Sequence, residues 1–277
     1  MEKMATPLND KLPEFQKSLL KEKLTGKLIG HKLYYYQETG STNDEAYRLG
    51  VAGASEGTVV VADRQTKGKG RMSRIWHSPA GSNIYTSVIL RPNLKPAAAP
   101  QISLVAGVAV AETLDYYCPG RVQLKWPNDV LINGKKVCGI LAQMKTGAKG
   151  VDFVIVGIGI NVNIRQNQFP ADIREIATSL NAETGQEISR EDLIISLYEN
   201  FAKWYKKLLQ DGFAAVKEKW LGLAPMIGQN IQVMFLDEKV SGKVLDLDED
   251  GSLIILTAKK ERLKISAGDA TILKENI

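Results

Sequence analysis

Residues 130–147 read VLINGKKVCGILAQMKTG, and the Asn133-Gly134 pair in their middle is the strongest single constraint on the fold. Both residue types tolerate positive φ, and a two-residue Asn-Gly link between apolar runs forms a tight hairpin turn. VLI and KKVCGILAQM are therefore expected to be neighbouring antiparallel strands, so the chain must build a sheet. Other strand-like runs lie around them: KLYYYQ from Lys32, TVVVAD at 58–63, SNIYTSVILRP at 82–92, VQLKW at 122–126 and DFVIVGIGINVN at 152–163.

Helical spacing interrupts these runs. Leu193, Leu197, Phe201, Trp204 and Leu208 recur every three or four residues and predict a helix over 191–210. Residues 101–117 read as a second helix, whose many small side chains suit tight packing on a sheet. Thr42 and Glu45 form a T-x-x-E capping box, which predicts a helix from Asn43. A short amphipathic segment at 10–24 carries Leu12, Phe15, Leu19 and Leu20. LGLAPMIG at 221–228 then breaks the pattern with glycines and a proline. Beyond it IQVMF, KVSGKVLDL, SLIIL and RLKIS, joined by turns such as Asp250-Gly251, predict a small all-β module of about 50 residues.

At 277 residues the chain is long enough for one large domain and a small one. Its net charge of +5 permits acidic substrates or nucleic acid and demands neither. Cys118, Cys138, His31 and His77 show neither C-x-x-C nor H-x-x-x-H spacing, which argues against zinc and against a disulfide framework and points to a reducing compartment. The N-terminus has no apolar signal region. The longest apolar stretch, 102–114, contains Glu112 and is shorter than the roughly 20 residues a membrane span needs. A cytoplasmic protein without membrane contact is the expectation.

Four short stretches carry chemical potential. TKGKGRMSRIW, 66–76, packs Lys67, Lys69, Arg71 and Arg74 around Gly68 and Gly70, and no Asp or Glu occurs from Arg64 to Ala111. Glycines let backbone N–H groups approach a ligand, and arginine forks match phosphate or carboxylate, so this is either an anion-binding loop or a solvated surface. It is not a dinucleotide fingerprint, because Ser73 takes the third glycine's place, and no Walker A motif exists. KWPNDV, 125–130, sets Lys125 near a strand end beside a turn, a fixed positive charge or a plain exposed lysine. The two glycines of GIGIN, 157–161, suggest close backbone approach by a ligand or another strand, with Asn161 able to face a phosphate or hydrated metal. Ser41-Thr42-Asn43 stands at a helix start, where hydroxyls cap the helix or hold a polar ligand group.

In this order S-T-N, Q-T-x-G-x-G-R, K-W-P-N-D, K-x-x-G-I-L and G-I-G-I-N resemble the biotin protein ligases over roughly residues 33–210. The resemblance implies an α+β fold, a mixed β-sheet with packed helices related to class II aminoacyl-tRNA synthetase and biotin ligase cores, plus a small C-terminal SH3-like β-barrel. The implied division is a short helical extension at 1–31, a catalytic domain at 32–222 and the SH3-like domain at 226–277. The implied reaction joins biotin and MgATP into biotinyl-5′-AMP, then passes biotin to a lysine of a biotin carboxyl carrier domain. Ser41, Thr42, Asn43, Gln65, Lys69, Gly70, Arg71, Lys125, Gly139 and Gly157 are implied at biotin. Arg71, Arg74, Trp76, Asn128, Lys136 and Asn161 are implied at ATP, with Asn161 on the Mg2+ side and Lys125 and Arg71 as the catalytic cations. Lys274 lies where some members direct a cation toward the phosphates. Lys69 and Ser73 depart from an arginine and a glycine of the commoner pattern. Residues 1–31 are too few for the winged helix-turn-helix of bifunctional members, so the monofunctional type, without nucleic-acid binding, is expected. A lipoate or octanoate ligase and a ligand-sensing DNA-binding regulator are the alternatives, and a homodimer stays open.

Overall fold

The computed structural model describes residues 17–148, 150–235 and 238–273. Leu12 and Phe15 of the amphipathic segment, and Lys274, lie outside the described residues. The first elements are α1 (Lys17–Leu24), β1 (Leu33–Thr39), α2 (Thr42–Val51), β2 (Val59–Gln65), β3 (Ile84–Leu90) and α3 (Pro100–Asp115). Then follow β4 (Val122–Lys125), β5 (Asp129–Ile132), β6 (Lys135–Gly147), β7 (Gly150–Ile160), α4 (Leu180–Thr184), α5 (Arg190–Asp211) and α6 (Ala214–Gly222). The last part is β8 (Asn230–Phe235), β9 (Glu238–Leu247), β10 (Leu253–Thr257), β11 (Arg262–Ile265) and β12 (Ala270–Ile272).

β1 to β7 form one sheet in the order β1-β2-β3-β7-β6-β5-β4. Only β1 and β2 pair in parallel, so the sheet is mixed. Asn133 and Gly134 take φ of 50° and 77° and close the β5–β6 hairpin, as the Asn-Gly pair requires.

The two faces of the sheet are covered differently, because side chains alternate along a strand. Val59 and Val61 of β2, Ile84 and Val88 of β3, and Val154, Val156, Ile158 and Ile160 of β7 join α3 and α5 in the main core. Val60, Ile89, Phe153 and Ile155 point the other way, against Ala46 and Leu49 of α2. α5 buries Leu193, Leu197, Phe201, Trp204 and Leu208, the predicted stripe, and Ser189 caps its start by accepting from Asp192 N–H. Each such aliphatic side chain contributes about 1.5–3 kcal/mol on burial. Pro96–Asp115 is long and apolar enough to cross a membrane, yet it is largely buried inside the fold, where α3 lies between the sheet and α5. Burial pushes the Cys118 and Cys138 thiols above their ordinary range, so both behave as core side chains.

β8 to β12 make a separate five-stranded antiparallel sheet in the order β11-β10-β9-β8-β12. Its apolar face, with Ile231, Val233, Val244, Leu253 and Ile255, is continuous with the main core. Among the bonds that tie it to the rest of the fold, Trp126 Nε1, just after β4, donates to Gly251 O at 3.1 Å, and Gln101 Nε2, on α3, donates to Glu249 O at 2.6 Å.

Candidate functional site

Strand register assembles the site. Tyr85 pairs with Gly159, Gly159 with Gly139, Gly139 with Asp129, and Asp129 with Lys125. Directly opposed residues project to the same face, so five strands place these five residues in one row. The next row is Ser87, Gly157 and Leu141. Both rows lie on the α2 face and line a cavity of about 450 Å³, apart from Ser87, which stands behind Thr42 and Asn43. Every site residue expected from the sequence lines that cavity: Ser41, Thr42, Asn43, Gln65, Lys69, Gly70, Arg71, Arg74, Trp76, Lys125, Asn128, Lys136, Gly139, Gly157 and Asn161.

One end is a network of neutral polar groups. Thr42 donates to Gln65 Oε1 from its backbone N–H (2.9 Å) and its hydroxyl (3.1 Å). Ser87 Oγ stands 2.8 Å from Thr42 Oγ1 and 2.6 Å from Asn43 Oδ1. The Asn43 amide donates to Leu141 O and Gln143 Oε1, and Gln65 Nε2 donates to Ser78 Oγ. The capping box expected of Thr42 and Glu45 does not form. Ser41 occupies the cap position without a side-chain capping bond, the Thr42 hydroxyl is held by Gln65 and Ser87, and Glu45 pairs with Arg48. Gly157 is required here, because a Cβ would overlap the Asn43 carboxamide.

The other end is cationic. The 66–76 loop folds back on itself through Gly70 N–H to Arg74 O (2.7 Å) and Trp76 N–H to Gly68 O (2.9 Å), bridging Lys69 to Ile75. Ser73 has φ of 59°, the left-handed region that favours glycine, so the serine noted above occupies a position whose backbone suits glycine. No carboxylate lies near these cations in sequence, but carboxylates distant in sequence reach them: Lys69 Nζ lies 2.6 Å from Asp44, and Arg74 and Arg71 lie 2.6 Å and 3.5 Å from Asp269. Arg71 also donates to Asn128 Oδ1 at 3.3 Å. Lys136 Nζ is 2.6 Å from Asp129 Oδ1. Asp129 Oδ1 and Asp269 Oδ2 are shielded from solvent and receive no aligned N–H among the described residues, so these contacts are close ion pairs and not directed hydrogen bonds. Lys125, half-buried, makes no ion pair among the described residues.

Between the two ends Trp76 lies over the glycine pair of the sheet. A Cβ at Gly159 would overlap its indole, one at Gly139 would press on the ring at 3.0 Å, and Lys136 Nζ stands 5.5 Å from the ring centroid. Its Nε1–H is buried and finds no hydrogen-bond partner among the described residues, an arrangement that costs about 1–3 kcal/mol. Asn161 commits its amide nitrogen to Thr178 O at 3.0 Å, leaving Oδ1 for another group. Among the described residues no three His, Cys, Asp or Glu side chains cluster as metal ligands. Ser87, Ser78, Asp44, Asp129 and Asp269 were not foreseen as members of the site.

A neutral polar head, a flat aromatic platform and a cationic end define a pocket for an elongated ligand that is polar at one end and anionic at the other. Residues 35–161 match the biotin/lipoate A/B protein ligase family, and residues 226–272 match the biotin protein ligase C-terminal domain. The bifunctional ligase/repressor BirA of Bacillus subtilis is 41% identical over 234 residues, which cover 84% of this chain and 72% of that protein. The biotin–[acetyl-CoA-carboxylase] ligase of Paracoccus denitrificans is 36% identical over 78% of this chain and 91% of its own length. Among solved structures, the biotin protein ligase of Aquifex aeolicus in complex with biotin and ATP superposes with a TM-score of 0.75 at 33% identity, covering 88% of this chain and 99% of that one. The chain belongs to the biotin protein ligase family.

Proposed function

We propose that this protein is an ATP-dependent biotin protein ligase, a biotin–[biotin carboxyl-carrier protein] ligase that makes biotinyl-5′-AMP and transfers biotin to a lysine of a carrier domain. The observation that carries this reading is convergence. Five motifs spread from Ser41 to Asn161 meet around one cavity, three of them on two cross-strand rows and the other two at the start of α2 and in the 66–76 loop. Its ends differ as the two substrates do, a neutral cyclic urea at one and phosphates at the other.

In the first step a biotin carboxylate oxygen attacks the α-phosphorus. A C–O–P bond forms, the bond between the α-phosphorus and its bridging oxygen breaks, and pyrophosphate leaves. Two anions must be brought together, so the site must supply positive charge that is already in place. In this reading Ser41, Thr42, Asn43 and Gln65 hold the ureido head, with their orientation fixed by Ser87 and Ser78. Gly139 and Gly157 leave room beside them. Lys125 and Arg71 hold the carboxylate and α-phosphate oxygens as negative charge shifts between them. Arg74 meets the departing phosphates. Trp76 stacks on the adenine, with Asn128 and Lys136 beside it. The loop 66–76, Lys69 and Gly70 included, covers the intermediate and keeps water from it. In the second step the acceptor amine attacks the acyl carbon, loses its proton, and AMP leaves.

Mg2+ takes oxygen ligands, usually one or two from protein and the rest from phosphate and water. Asn161 Oδ1 suits such a minimal site, and the ion would neutralise phosphate charge there. Residues 32–222 form the catalytic unit. Residues 226–277 form the second module, which we read as SH3-like from its order of short antiparallel strands. The acceptor domain, itself a small β-structure, docks on an exposed strand edge beside the adenylate, a surface also suited to a second copy of the chain.

Biotin-dependent exchange of labelled pyrophosphate into ATP tests the first step. The pure protein should catalyse it with biotin, and no exchange in the presence of biotin and MgATP would sink the reading.

A further inference from the structure

Arg71 and Arg74 are the two forked cations of the loop, and the chain supplies its own anion to both. Asp269 stands in the turn between β11 and β12, on the second module, yet it lines the cavity. Its Oδ2 is 2.6 Å from Arg74 Nη1 and its Oδ1 is 3.5 Å from Arg71 Nη1. Arg71 Nη1 also donates to Gly268 O at 3.2 Å. The turn packs closely on β8 here, because Gly268 has φ of 132° and a Cβ there would overlap Met234 O and Val233. The β11–β12 turn thus sets the Asp269 carboxylate beside the arginines.

A guanidinium that binds a carboxylate offers the same N–H groups a phosphate would use. The Arg74 contact is close but poorly aligned, so a better-placed acceptor can displace it. We propose that Asp269 is a resident counter-ion of the phosphate site: it competes with the nucleotide's phosphates for Arg71 and Arg74, and it holds the loop against the second module whenever phosphate is absent. The inference rests on the ATP-dependent reading of the pocket. Asp269 acts through the two arginines, so it is a positioning residue. Before nucleotide arrives it keeps both cations aimed into the site and limits their mutual repulsion. A polyphosphate carries more charge than one carboxylate and displaces it. When pyrophosphate leaves, the carboxylate returns to Arg74 and keeps the loop down over the acyl-adenylate.

Calorimetric titration of MgATP, and separately of magnesium pyrophosphate, into the intact protein without biotin tests this. Asp269→Asn should bind both about 3- to 10-fold more tightly than wild type, equivalent to about 0.6–1.4 kcal/mol. Asp269→Glu, which keeps the charge, should stay near wild type. Glu261→Gln removes the same charge from an exposed site on the same module and should change little. A purely structural Asp269 cannot tighten binding on removal, so equal or weaker binding by Asp269→Asn overturns the proposal. Tightening of the same size in Glu261→Gln also overturns it, because net charge would then be the cause. If wild type binds MgATP and the variants do not differ, only the counter-ion role fails. If wild type binds no MgATP at saturating concentration, the ATP-dependent reading fails and the counter-ion role with it.

Discussion

Lys125→Ala separates catalysis from folding more cleanly than any other change in the site. Lys125 ends β4, in the row that runs through Asp129 and Gly139 to Gly159. Its ammonium makes no ion pair among the described residues, so truncation strands no buried carboxylate. The folding cost is then the loss of packing around a half-buried stem, under about 1 kcal/mol. The catalytic cost is of another size. Among the described residues, Lys125 is the lysine or arginine of the cavity not already engaged by a carboxylate, unlike Lys69, Arg71, Arg74 and Lys136. Removing one preorganised group from a site of developing charge costs about 2.7–4 kcal/mol, or roughly 100- to 1,000-fold in rate. The assay is biotin-dependent pyrophosphate exchange, read beside a urea unfolding curve on the same preparation. Exchange should fall by two to three decades while the unfolding midpoint barely moves. Lys125→Arg keeps the charge and should recover part of the rate. Exchange within threefold of wild type in Lys125→Ala would refute the assignment. So would a collapse of the unfolding midpoint with unchanged activity per folded molecule.

Gly157→Ala should push the Asn43 carboxamide off Ser87, because the added Cβ overlaps it. Biotin affinity in a direct titration should fall roughly 10-fold or more, about 1.4 kcal/mol, and unchanged affinity would show that Asn43 does not hold the ligand head. Asp63→Ala addresses stability alone. Asp63 Oδ1 is 2.7 Å from Arg190 Nη1, both side chains are buried, and Oδ2 accepts from Gly81 N–H at 3.0 Å. Unfolding free energy in denaturant should drop by about 3–5 kcal/mol, with exchange activity per folded molecule retained, whereas a loss below 1 kcal/mol would mean the pair carries little.

Elements whose cause is local were legible in the sequence. The Asn133-Gly134 hairpin, the α5 stripe and the β-module after 221–228 follow from turn chemistry and periodicity, and the structure has them where the residues predict. Strand order in the first sheet was not legible, since Val-Ile runs look alike and only its β5–β6 pairing carried a turn signal. The row from Lys125 to Tyr85 therefore could not be drawn in advance, although its motifs could be named. Long-range partners were missed for the same reason. Nothing near Arg71 in sequence points to Asp269, and nothing near Lys69 ends in Asp44 except position in the fold. Ser87 did leave a signal: Thr86 and Ser87 are adjacent in an otherwise apolar strand, so both faces had to offer a polar partner. The structure supplies Tyr198 for one and Asn43 with Thr42 for the other. The capping box failed because Thr42 has two stronger suitors than its own helix end.

A direct competition decides the central claim. The protein is incubated with MgATP and equal concentrations of biotin, lipoate and octanoate, separated from free ligand under native conditions, and the bound species identified by mass spectrometry. Biotinyl-5′-AMP should be the retained acyl-adenylate. Retention of lipoyl- or octanoyl-AMP in its place, or of no adenylate at all, would contradict the account.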